Sequence, residues 1–233
     1  MNLALIRLLH LASPTLPVGA YTYSQGLEWA VESGAIRNEA SAGQWFGDCL
    51  SFSLASFEAV YLAHMLSAWR DSDTAQLEEL NAEFIASRET AELRAETLQM
   101  GHSLVKLLQG LPDFADVHFP LPNPSPACGG WANTSVSFPL AWSCAAARWR
   151  IETEDAIAGY LWAWLENQVM AALKAVPLGQ TAGQRLLLSL GERLPALAKQ
   201  AAVTPLDQAR NFLPAFAIAS SLHETQYTRI FRS

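Results

Sequence analysis

An all-α fold is what this sequence of 233 residues predicts, read as one domain over residues 1–233. The expected architecture is a bundle of about eight to ten helices that associates as a homodimer. Three observations predict it. Apolar residues recur at helical spacing along most of the chain. Ser, Thr, Asn and Asp stand at the points where such runs open, as N-caps do. Outside the loops, no run of five or more residues alternates with period two.

The elements follow in order. Leu5, Leu8, Leu9 and Ala12 give a short amphipathic helix, stopped by Pro14 and Pro17. Ser24 is the expected cap of a short helix through Trp29, with Gly34 in the C′ position. Asn38 caps a long helix to about Trp69, with Trp45, Cys49, Phe52, Phe57, Tyr61, His64 and Met65 near helical spacing. Asp73 with Gln76 opens an acidic helix that continues, after a break, into Leu93 to Leu108. Five prolines (112, 120, 122, 124, 126) predict a surface loop over 111–137. Thr181 with Gln184, and Thr204 before Pro205, are further expected helix starts.

Fifteen basic residues stand against 22 acidic ones, a net charge of −7, and charged residues make up only 16% of the chain. The acidic balance excludes the basic footprint of a nucleic-acid binder. So little charge cannot cover the surface, which implies an apolar patch for a partner. Most of the negative charge lies between Asp71 and Glu96, read here as a solvated helical face. Cys49, Cys128 and Cys144 are too far apart for a Cys-x-x-Cys pair and suit a reducing compartment. Arg7 and His10 interrupt what would be a signal core, and the greasy runs carry Glu58, His64, Glu166, Asn167 and Lys174. Neither a signal peptide nor a membrane span is expected, and the expected location is the cytoplasm.

No P-loop and no His-Glu-x-x-His occur, and the five histidines are scattered. No catalytic residues, metal ligands or cofactor are therefore assigned, and His64 reads as a satisfied core histidine. What remains is interfaces. The loop Leu16-Pro-Val-Gly-Ala-Tyr-Thr-Tyr-Ser-Gln-Gly-Leu-Glu28 is stiffened by proline and carries two tyrosines, which either plug the core or meet a partner. The helix at about 155–173 is apolar on two stripes, as expected of a helix central in a bundle or between subunits. Tyr160, Leu161, Trp162, Leu165 and Val169 are its candidate dimer contacts. In the tail 223–233, Tyr227, Ile230 and Phe231 fall on one face if it is helical, ready for a groove.

The loop 16–28, the block Trp-Leu-Glu-Asn-Gln-Val-Met-Ala-Ala-Leu-Lys-Ala-Val-Pro-Leu-Gly-Gln (164–180) and the tail His-Glu-Thr-Gln-Tyr-Thr-Arg-Ile-Phe-Arg-Ser (223–233) resemble the UreF family of urease accessory proteins. The blocks lie in the family's order and span nearly the whole chain. Small departures are Ala20, where a second glycine is common, and Ile230, where leucine is usual. The resemblance implies a helical, dimeric urease maturation factor that bridges the scaffold UreD (UreH) and the nickel-carrying GTPase UreG, and through them reaches apo-urease. It implies that GTP hydrolysis by UreG is coupled to nickel delivery. Carried over residue by residue, Pro17, Gly19, Tyr21, Ser24, Gln25 and Lys174 are the candidate GTPase-partner surface. His223, Gln226, Tyr227, Arg229, Ile230, Phe231 and Arg232 are the candidate scaffold-binding residues. The alternatives are a small helical enzyme with a site assembled across the dimer, and a metal-binding storage or sensor protein. The latter lacks the His- or Cys-rich tract it would need.

Overall fold

The structure, a computed structural model, describes residues 2–119 and 136–231. Most of the proline-rich stretch expected at 111–137 lies outside the described residues, as do Cys128 and Arg232. The described residues are helical throughout, with no strand.

Asn2 caps α1 (Leu3–Leu11), its side chain accepting from Ala4 N–H at 3.0 Å. Leu5 and Leu9, expected inside, are instead exposed; the core is met by Leu11 and by the half-buried Leu8 and Ala12. After a 3-10 turn (Ala20–Thr22) comes α2 (Leu27–Glu32). Ser24 does not cap it. The N-cap is Gly26, in the left-handed region at φ 79°, while Ser24 is buried with its hydroxyl unbonded. A Cβ on Gly26 would sit 2.6 Å from the Ser220 nitrogen, so this glycine both turns the chain and lets the helix Pro214–His223 cross closely. Gly34 ends the segment in the left-handed conformation, as expected.

Asn38 caps the long helix through a reciprocal pair with Ser41 (3.0 and 3.1 Å). The helix runs from Glu39 to Asp71 in three pieces: α3 (Glu39–Cys49), a π-helical segment (Leu50–Glu58) and α4 (Ala59–Asp71). By length and composition it could cross a membrane, but most of its apolar window is buried inside the fold. A strap at 210–212 lies along the π segment. Arg210 N–H donates to Ser56 O (2.8 Å), Phe212 N–H to Phe52 O (3.3 Å), and Ser53 Oγ to Asn211 Oδ1 (2.9 Å). Phe52, expected inside with the other apolar residues of this helix, points out at 56% exposure.

Asp73 caps α5 (Thr74–Ala86) through Gln76 N–H at 3.0 Å, and Thr90 caps α6 (Ala91–Gln109) through Leu93 N–H at 3.1 Å. Then follow α7 (Phe138–Arg148), α8 (Thr153–Ala175), α9 (Gln180–Gly191), α10 (Leu194–Val203) and α11 (Pro214–His223). Thr181 lies inside α9, whose N-cap is Gly179. Thr204 ends α10 rather than starting a helix, because its hydroxyl turns back to Gln200 O (2.8 Å); a 3-10 turn, Leu206–Gln208, follows Pro205. His64 is half-buried, its Nε2 3.1 Å from Thr204 O.

Two helices make the centre. α4 packs on α5, α7, α8 and α10; α8 is surrounded by α1, α2, α3, α4, α7, α9 and α10. That explains the two apolar stripes of α8 without a second copy. Tyr160, Leu161, Leu165 and Val169 are buried in the chain's own core, and Trp162 lies half-buried against Gly191. The dimer face expected on these residues is corrected: the four buried ones have no surface left to offer a partner.

Candidate functional site

The loop between α1 and α2 is laid across α8. Gly19 at φ 82° turns it, Asn167 Nδ2 donates to Ala20 O at 3.0 Å, and Thr22 Oγ1 donates to Gly19 O at 2.9 Å. Its two tyrosines part. Tyr23 is buried and donates to Gln99 Oε1 at 2.7 Å, so it is a core plug. Tyr21 stays 39% exposed, its phenol pushed up by partial burial and by Glu166. Pro17 and Gly19 are exposed beside it, whereas Ser24 is fully buried and offers no contact. Gln25 is half-buried and occupied: its Oε1 accepts from Trp164 Nε1 (2.6 Å) and its Nε2 donates to Glu96 Oε1 (2.9 Å). Lys174, in the last turn of α8, is exposed and stands 5.7 Å over the Phe231 ring.

The tail is not the expected helix. α11 ends at His223, and the chain turns at Thr225 and Gln226. The buried Glu28 carboxylate accepts Ile230 N–H (2.7 Å) and Phe231 N–H (3.1 Å). His223 is fully buried between Glu92 (Nδ1, 2.8 Å) and Glu28 (Nε2, 3.4 Å). Arg229 donates to Glu92, and Gln226 to Glu32. These bonds replace helix propagation, so the anchors separate: Phe231 goes inward at 7% exposure, while Tyr227 (102%) and Ile230 (65%) face out.

Beneath the Tyr21 loop lies a polar cluster that the sequence reading missed. Arg88 Nη1 donates to Glu58 at 2.6 Å, Tyr160 OH donates to Glu58 Oε2 at 2.8 Å, and the Arg88 guanidinium stacks on Phe84 at 4.4 Å. Burial pushes the Tyr160 phenol well up, and the Glu58 charge adds to this. Glu96 is fully enclosed, and burial lifts its carboxyl to about 8 against the opposing hydrogen bond from Gln25. Arg88 and Glu96 both come from the acid-rich stretch 71–96, which is therefore not a solvated face throughout. Nothing in the spacing singled them out, since Glu58 and Tyr160 come from other helices.

The UreF family model matches residues 36–191, and relatives match across nearly the whole length. The urease accessory protein UreF of Azoarcus sp. (strain BH72) is 60% identical, over 99% of this chain and 96% of the relative. That of Dechloromonas aromatica (strain RCB) is 56% identical, over 99% and 98%. The chain belongs to the UreF family. A third relative, the UreF of Methylobacillus flagellatus, is 44% identical over 99% of the chain. UreF membership gives the chain the role of an accessory factor in urease maturation. The UreF match 36–191 excludes both the Tyr21 loop and the tail, which the full-length relatives cover.

Proposed function

We propose that this chain is the non-catalytic bridge of a urease maturation complex. It joins the scaffold UreD/UreH to the GTPase UreG and couples GTP hydrolysis by the GTPase to nickel delivery into apo-urease in the cytoplasm. The observation that carries the reading is the tail. Its backbone is fastened by Glu28 while Tyr227 and Ile230 remain outside, so two apolar anchors are presented without the cost of ordering a free end. Tyr21, with Pro17, Gly19 and Lys174, is a second exposed surface, assigned to the GTPase partner. Ser24 and Gln25 support it from below.

The homodimer stays part of this proposal, with its contact moved from α8 to Phe52 and Phe212, which are adjacent and exposed. The deciding experiment is a pull-down with UreD-like and UreG-like partners. The pair Tyr227→Asp and Ile230→Asp loses the scaffold, because an unpaired carboxylate would be buried. Tyr21→Ala keeps the scaffold and weakens the GTPase. Retention of both partners by both variants would overturn the assignment, and turnover of a substrate by the purified chain alone would favour the enzyme alternative.

A further inference from the structure

A cavity of about 90 Å³ lies beneath the Tyr21 loop. Leu93, Met100, Phe138 and Trp142 give it an apolar wall, and Glu58, Arg88 and Glu96 a polar floor. Ala20, Tyr21 and Gln25 line it from the loop, in a stretch that runs between two left-handed glycines, Gly19 and Gly26. The Gln25 side chain latches that stretch to the floor: its Nε2 donates to Glu96 Oε1 at 2.9 Å, while its Oε1 accepts from Trp164 Nε1 at 2.6 Å. Asn167 on Ala20 O and Tyr23 on Gln99 anchor it further.

The closed position has three unfavourable features. Gln25 is held at φ 53°, where residues other than glycine are strained. The Ser24 hydroxyl and Glu96 Oε2 are buried with no hydrogen-bond partner. Lifting the stretch relieves all three, which lowers the cost of opening it locally. Glu96 adds a dependence on pH. Glu58 from the π segment and Glu92 from its own helix face it, with the Tyr160 phenol from α8 alongside and Glu166 on the cavity wall. Arg88, the cation facing it among the described residues, is already bonded to Glu58 at 2.6 Å. Burial, against the opposing bond from Gln25, lifts the closed carboxyl to about 8, and Glu58 and Glu92 add to this. In the open form water reaches the carboxyl, which returns to its ordinary 4.5. Between those values opening releases a proton, so each pH unit favours the open form by up to about tenfold; above them the gain stops.

We propose that residues 19–26 form a lid gated by pH: it lies closed over the cavity while Glu96 holds its proton, and lifts, with Tyr21, when the proton leaves. The lid is a property of this chain alone; that its lifting withdraws a partner surface rests on the reading of Tyr21 given above.

Amide hydrogen exchange on the full chain, read as protection factors from about pH 6 to pH 9, tests the lid. Thr22 and Tyr23 N–H, bonded to Gly19 O and Ala20 O, report on it. Between about pH 6 and pH 8 their protection should fall at least tenfold and then level off, staying at least tenfold below that of α4 and α7 throughout. Glu96→Gln keeps an acceptor for Gln25 and has no proton to lose, so its lid protection should be flat over the same range. Where circular dichroism shows that variant misfolded, the unaltered chain decides by itself. Lid amides as protected as those of α4 and α7 would mean that only the whole fold opens, and would overturn the proposal. So would pH-independent lid protection in the unaltered chain, or an undiminished pH dependence in folded Glu96→Gln. No partner takes part in this measurement, so its failure is distinct from a failure of the partner reading.

Discussion

Glu28 and Phe231 are joined across the whole chain: a carboxylate in the first turn of α2 accepts the N–H of a residue next to the C-terminus, at 3.1 Å. The same carboxylate takes Ile230 N–H at 2.7 Å and faces His223. The sequence blocks 16–28 and 223–233 therefore form one piece of structure.

Removing that carboxylate should free the tail before it unfolds the protein. Glu28→Ala leaves two backbone donors without a partner, which costs about 1–3 kcal/mol. Amide exchange at Ile230 and Phe231 should accelerate at least tenfold while α4 and α7 stay protected. Unchanged exchange at those two amides would show that Phe231 packing alone holds the tail.

The two tyrosines of the loop should respond in opposite ways. Tyr21→Ala removes a partly exposed ring and should cost less than about 1 kcal/mol of stability. Tyr23→Ala empties a buried site and should cost about 3–5 kcal/mol. Chemical denaturation measures both; equal costs would mean that Tyr21 is a core residue as well.

Phe52→Asp or Phe212→Asp should yield a monomer by light scattering with the helical signal intact, because both side chains are exposed and their loss opens no cavity. Tyr160→Asp should instead unfold the chain, since it buries a carboxylate beside Glu58. A dimer that survives the substitutions at both Phe52 and Phe212 would place the contact elsewhere.

Glu96 gives stability a pH dependence of known sign. Its carboxyl titrates near 8 when folded and near 4.5 when unfolded, so between those values the folded state holds the extra proton. Stability must then fall as pH rises through that window. Relative to Glu96→Gln, the unaltered chain should lose Tm steadily from about pH 5 to pH 8 and level off above it. A parallel pair of Tm–pH curves would mean that Glu96 is ionised in the fold.

What the sequence made legible was local. Asn38 and Asp73 cap as expected, because an N-cap is decided within four residues. Ser24 and Thr204 carry the same chemistry but do not cap: Gly26 stands at the N-cap of α2 and leaves the Ser24 hydroxyl buried and unbonded, and Thr204 turns back onto Gln200. The tail pattern Tyr227, Ile230, Phe231 fits a helix face. Helical spacing cannot register that a carboxylate from α2 captures the backbone first. The cavity floor was hidden for a related reason. Arg88 and Glu96 sit in a run of charges and face inward only because Glu58, on another helix, and Gln25, in the loop, meet them.

The π segment Leu50–Glu58 makes the length of this stretch a fixed quantity. Each residue of an α-helix advances the chain by about 100°, so deleting one between 50 and 58 would rotate everything before it by that angle relative to α4. Phe46 and Cys49, now fully buried, would swing toward water, and the strap at 210–212 would face the wrong carbonyls. Point substitutions on the outer side of this segment leave that phase intact, whereas a one-residue insertion or deletion scrambles both halves of the longest helix at once.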